Sequence, residues 1–195
     1  LYAYIESGED FVENGVKHLL DSIDKMKDLF VWQLSFLIET KRFAENRIEE
    51  NKRKNFPTKE DLNPNLRYVQ NRVIIALENN RDLRKEEERL KINWADHQDI
   101  IRGYYNMMRE TQEYKDYMSD SVDNFEHDKK FIIRMISQYF SELEVLIDFY
   151  EEKSIFFVDD YHLVSSMLVK FFTDMKASFN EFTPLPDIQN RERFC

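Results

Sequence analysis

The feature that most restricts this chain is its scarcity of turn formers: three glycines and four prolines in 195 residues. A sheet of any size needs turn residues at short, regular intervals, and the sequence does not supply them. An all-α fold, a multi-helix bundle, is therefore expected. Hydrophobic residues make up 42% and charged residues 34% of the chain. That is enough to bury a core, and it excludes both a disordered chain and a membrane span, since no apolar run approaches the roughly 20 residues a span requires. The single cysteine, Cys195, rules out an internal disulfide, and a cytoplasmic setting is expected.

Helical spacing runs through most of the sequence. Val12, Val16, Leu19, Ile23, Met26, Phe30, Leu34 and Leu37 follow one another in steps of three and four, which marks one face of a long helix. The pattern predicts continuation through Ala44 and Ile48 to about Asn51, a rod of roughly 60 Å that needs a kink or partner helices along it. NFPTKEDLNPN (55–65) ends it, because Pro57 and Pro64 cannot sit in a helix interior; Thr58 and Asp61 have the spacing of a capping box. A second helix is expected with Val69, Val73, Ile74 and Leu77 inward. RDLRKEEERLK (81–91), with five basic and four acidic residues, reads as a solvated helix face with i,i+4 pairs.

From Trp94 to Met108 a shorter amphipathic stretch offers Trp94, Ile100, Ile101, Tyr104 and Met108 to the core, and a short helix with loops is expected between Glu110 and Asp128. DKKFIIRMISQYFSELEVLIDFY (128–150) keeps helical spacing throughout, with Ile132, Ile136, Tyr139, Phe140, Leu143, Leu146 and Ile147 apolar. SIFFVDD interrupts it. Asp159 or Asp160 then caps a last helix over Leu163, Met167, Leu168 and Phe171, and TPLPDIQNRERFC (183–195) reads as an extended tail.

Little in the chain points to catalysis. His18, His97, His127 and His162 are scattered among acidic residues; Asp159 and His162 stand one helical turn apart, but the Glu-x-x-His pairs of a di-iron bundle are missing. No cofactor is expected. The lone thiol lies in the tail, where nothing lowers its pKa, and Gly8, Gly15 and Gly103 are isolated, so no phosphate-cradling loop exists.

Net charge is −10, with 17 basic against 20 acidic residues through Asp99 and 11 against 18 beyond it. Affinity for phosphate therefore needs a local patch. The densest basic stretch is Lys41, Arg42, Arg47, Lys52, Arg53 and Lys54, extended by Lys59 and diluted by Glu39, Glu45, Glu49 and Glu50. It is the candidate phosphate-contacting (RNA-binding) stretch, and an ordinary surface helix is the preferred reading of it. Sixteen Phe and ten Tyr are mostly placed to pack a core; Tyr2, Tyr4, Tyr117, Phe156 and Phe157 fall off the apolar faces and are candidates to meet a partner.

Several of these stretches together resemble the transcription antitermination factor NusB family. LYAYIES at the start is similar to the Leu-Tyr end of that family's first helix. DKKFIIRMISQYFSELEVLIDFYEEK followed by FVDDYHLVSSMLVKFFTDM resembles its central helix, turn and following helix. FVENGVKHLL through PTKEDLNPN is similar to a long, insertion-bearing bacterial branch, and WADHQDIIR and EYKDYM add to the match. The resemblance covers nearly the whole chain before the tail.

The resemblance implies a NusB-like helical fold over 1–182 with a long helical insertion at about 12–117, and a tail at 183–195 leading toward a further helical segment. It implies that Leu1 lies just after the family's arginine-rich segment. The implied function is binding of boxA RNA together with the ribosomal protein NusE, so that RNA polymerase reads through terminators. Tyr2 is the one family functional position that carries over. No membrane partner is implied, and a homo-oligomer is left open. The alternative is a helical protein–protein scaffold without RNA binding.

Overall fold

The computed structural model describes residues 9–140, 143–153 and 160–186, without the side chains of residues 9–14, 18, 19 and 160. Among these residues the protein is all-α, a bundle of helices without strands. Helix α1 (Glu9–Lys52) is followed by the single turn α2 (Lys59–Leu62), then α3 (Arg72–Asn79) and α4 (Arg81–Leu90). A 3-10 turn at Ala95–His97 leads into α5 (Gln98–Glu110), and α6 (Gln112–Ser119), α7 (Phe125–Tyr139), α8 (Glu144–Glu152) and α9 (Asp160–Asp174) follow.

Helix α1 is the axis of the molecule. At 44 residues it is about 66 Å long, and α3, α4, α5 and α9 pack around it. Its middle, from Leu29 to Ile38, is buried on every side. This is why the apolar residues there spread beyond the single stripe that the spacing predicts. Before this middle, the described side chains among residues 15–28 are partly or fully exposed, Val16 and Leu20 among them. Pro57 and the capping box end the rod as expected. Thr58 Oγ1 accepts the Asp61 N–H at 3.1 Å, and Asp61 Oδ2 accepts the Thr58 N–H at 3.0 Å.

The core is rich in aromatic contacts. Trp94 stacks on Phe149 at 5.1 Å, meets Trp32 edge-on at 5.2 Å, and donates its indole N–H to Ser35 Oγ at 3.2 Å. Phe36 lies between Tyr104 and Phe140, at 5.0 and 5.7 Å.

Four expectations need correction. The stretch 128–150 is not one helix: α7 ends at Tyr139 and α8 begins at Glu144. The break frees the Phe140 carbonyl, which accepts the buried Tyr161 hydroxyl at 2.7 Å and so loses nothing by leaving the helix ladder. The inner face of α9 is Tyr161, Val164, Leu168 and Phe172, whereas Leu163 is exposed. Contact with α7 and α1 selects this one of two adjacent apolar stripes. The 81–91 segment is more than a solvated face, because Arg89 reaches Asp28 at 2.5 Å and Lys27 reaches Glu86 at 3.0 Å, tying α4 to α1.

Finally, Tyr117 faces the interior rather than a partner. Its ring stacks on Phe131 at 4.2 Å, and its hydroxyl donates to Asp128 Oδ1 at 2.9 Å. Tyr2, Tyr4, Phe156, Phe157 and Asp159 lie outside the described residues.

The tail divides. At its start Asn80 Nδ2 donates to the Asn180 and Thr183 carbonyls, and Leu185 packs on the core. Residues 187–195 lie outside the described residues.

Candidate nucleic-acid interface at the end of the long helix

The basic stretch of α1 separates into two groups. Lys41 and Arg42 belong to the structural half. Lys41 is buried and bonds Glu45 and Glu78, both at 2.8 Å, while Arg42 bonds Glu78 at 2.9 Å and Glu39 at 3.3 Å. Burial pulls the Lys41 ammonium downward, but the hydrogen bonds to Glu45 and Glu78 outweigh it and the net shift is upward. Burial likewise pushes the Glu78 carboxyl up, and its two cationic partners overcome this and hold it below the ordinary range. These charges pair with one another, Lys41 buried and Arg42 about half exposed.

The second group sits at the end of α1. Lys52 bonds Glu49 at 2.7 Å, and Lys54 reaches Asp61 at 3.4 Å. Arg53 and Lys59 make no ion pair among the described residues. Arg47 hydrogen-bonds Asn106 at 3.4 Å, leaving most of its guanidinium donors unspent. Tyr2 lies outside the described residues and His18 outside the described side chains.

Beneath this end lies a groove of about 330 Å³. Arg47 and Asn51 of α1 form one wall, and Glu60, Pro64 and Asn65 of the EDLNPN loop form another. Tyr105 and Arg109 of α5 and Tyr114 and Met118 of α6 complete it, with Tyr68 alongside. The rings of Tyr68 and Tyr114 lie 5.8 Å apart, those of Tyr68 and Tyr105 6.2 Å apart, and the Arg109 guanidinium stands 5.8 Å from the Tyr105 ring. Burial pushes the Tyr114 hydroxyl well above its ordinary value, so it stays protonated.

Local sequence explains why these walls hold. Asn65 Nδ2 donates to the Met118 carbonyl at 2.8 Å, and Asn65 Oδ1 accepts the Arg67 N–H at 3.0 Å, which pins the loop to α6. Asn71 caps α3 by accepting the Val73 and Ile74 N–H groups at 3.0 and 3.2 Å. Its Nδ2 donates to the Tyr117 hydroxyl at 3.1 Å, and the buried Asp128 beyond accepts Arg72 N at 3.0 Å and Arg72 Nη1 at 2.9 Å. The guanidinium of Arg67 donates to the Asp120 and Val122 carbonyls and faces His127 Nδ1 at 3.0 Å. A larger groove, about 560 Å³, lies beside Phe30, Phe171 and Phe179, but its walls are mainly apolar, so size alone does not mark the site.

Three sequence stretches with no common spacing, the basic end of α1, EDLNPN and EYKDYM, therefore meet around one groove. Sequence reasoning missed Asn51 and Arg109. Arg109 carries a signal of its own, since it stands four residues after Tyr105 and shares its helix face. Among the described residues no three His, Cys, Asp or Glu side chains converge as a metal site, and no helix is long and apolar enough to cross a membrane. Comparison of the chain with protein-family models, with curated proteins and with solved structures finds no match.

Proposed function

We propose that this chain is the helical body of a NusB-like transcription antitermination factor. It binds boxA RNA together with NusE and promotes read-through by RNA polymerase, acting in the cytoplasm by binding and not as an enzyme. The observation that carries this reading is the meeting of the basic end of α1 with the EDLNPN loop and the EYKDYM helix around one groove. EDLNPN and EYKDYM are among the stretches that carry the resemblance. Arginines beside aromatic rings are the usual elements of single-stranded RNA recognition, the cations holding phosphate and the rings meeting unpaired bases.

A second reading, a helical interaction scaffold, is favoured by the carboxylate partners of Lys41, Arg42, Lys52 and Lys54 and by the net charge of −10. Fluorescence anisotropy of a labelled boxA-type RNA separates the two. The chain is titrated with and without NusE, at several salt concentrations and against a scrambled RNA. Preference for boxA, with affinity falling steeply as salt rises, supports the antitermination factor. Equal or absent binding of both RNAs in the presence of NusE leaves the scaffold.

A further inference from the structure

The groove beneath the end of α1 has more hydrogen-bonding capacity than the protein uses. Neither the Glu60 carboxylate nor the Asn51 side-chain amide forms a hydrogen bond among the described residues, and Arg109 makes no ion pair. Arg47 spends one donor on Asn106. Asp61 differs, because Thr58 and Lys54 already occupy its carboxylate. Two guanidinium groups, one amide and one carboxylate with unused capacity thus border a space that Asp61, Asn65, tyrosine rings and Pro64 also line.

We propose that this groove seats one unpaired guanine nucleotide of a single-stranded RNA, a proposal that rests on the RNA-binding reading and gives it a base-reading subsite. The volume, about 330 Å³, lies at the lower end for small-molecule sites and suits a single nucleotide. The mixture of charges selects the base. A carboxylate accepts two parallel N–H donors, and guanine alone among the four bases presents two, N1–H and N2–H, on its Watson–Crick edge. Its O6 is an acceptor, which suits Asn51 or a guanidinium at the same site. The second guanidinium is left for the phosphate. Uracil offers one N–H on that edge, and adenine and cytosine each offer an amino group beside an acceptor that a carboxylate repels.

Two probes test this on the full chain: 5′-GMP, followed by backbone amide NMR shifts, and a boxA-type RNA, followed by anisotropy. GMP is expected to move the amides of Asn51, Glu60 and Arg109, and inosine monophosphate, which lacks the N2 amino group, to do so more weakly. Glu60→Gln is expected to reduce the preference for guanine over inosine by roughly tenfold. Arg109→Ala should weaken all RNAs alike and lower the salt slope by about one. Both side chains are on exposed residues, so the thermal midpoint of each variant checks that the fold is kept.

RNA binding that both variants leave unchanged overturns the subsite while the antitermination reading stands. GMP shifts without binding of any RNA, NusE included, overturn both the RNA subsite and that reading and leave a site for a free nucleotide. Absence of both overturns both. Shifts of the same amides by a short peptide, with none from GMP, overturn the nucleotide in favour of a protein partner.

Discussion

Glu78 is where the charges of α1 are decided. Its carboxylate holds Lys41 and Arg42 at once, and Lys41 is buried. Removing one partner of a buried pair leaves the other desolvated and unsatisfied, which costs more than the pair itself contributes. Glu78→Gln is expected to lower stability by about 2 kcal/mol. The figure is below the full buried-pair cost because Glu45 remains and Glu78 is partly exposed. The pH dependence follows from the direction of each shift. The Glu78 carboxyl is held below its ordinary value of 4.5, so its contribution is complete above that value and is lost as pH falls through the folded-state value. Lys41 is raised above 10.5, so its contribution is complete below that value and is lost as pH rises through the folded-state one. Chemical denaturation of both proteins across pH checks this: the gap between wild type and Glu78→Gln should narrow on the acid side. A constant gap down to pH 2 would contradict the assignment. Sequence alone could not reveal this, because Lys41 reads as a surface residue until a carboxylate 37 positions away is folded against it.

At the scale of elements, two caps of like chemistry differ in consequence. Thr58 caps a single exposed turn, whereas Asn71 caps α3 inside the core and also bonds the Tyr117 hydroxyl. Thr58→Ala is expected to cost about 0.5–1 kcal/mol and Asn71→Ala about 2–3 kcal/mol, since the latter also leaves buried groups without partners. Urea midpoints of the two variants measure the difference, and equal costs would show that the Asn71–Tyr117–Asp128 network carries no weight. The helices themselves were legible wherever apolar spacing was long or a proline intervened, as in α1 and at Pro57. The break after α7 was not, because the Tyr161 hydroxyl that satisfies the Phe140 carbonyl comes from another helix. The inner stripe of α9 was ambiguous for a similar reason: two apolar faces adjoin, and only packing chooses between them. Of the groove, the basic end and the EDLNPN loop could be read in advance, but their meeting with Arg109 and Tyr114 depends on the Asn65 bond to Met118.

Across the whole molecule, stability is expected to be uneven along α1. Leu29 to Ile38 lie at the centre of the core, while the described side chains among residues 15–28 are partly or fully exposed, with Val16 and Leu20 about half accessible. Local opening follows burial. Native-state hydrogen exchange should find amides 15–25 opening well below the global unfolding free energy and amides 29–40 opening only with it. Uniform protection along the helix would mean that the exposed part is stabilised by something other than its contacts in the bundle.

The length of α1 also sets a distance. Leu20 and Arg47 belong to one uninterrupted helix and are 27 residues apart, about 40 Å along its axis. The rod works as a ruler, with the exposed Val16 and Leu20 toward one end and a polar, charged groove toward the other. Molecules held at the two ends would not touch, and substitutions at one should add to substitutions at the other without interacting. Any dependence between them would have to pass through the buried middle of the helix, where Gln33 lies fully enclosed with neither amide atom bonded to a protein group. Ser35 and Thr40 nearby do find hydrogen-bond partners, so Gln33 is the buried polar side chain of this stretch left without one.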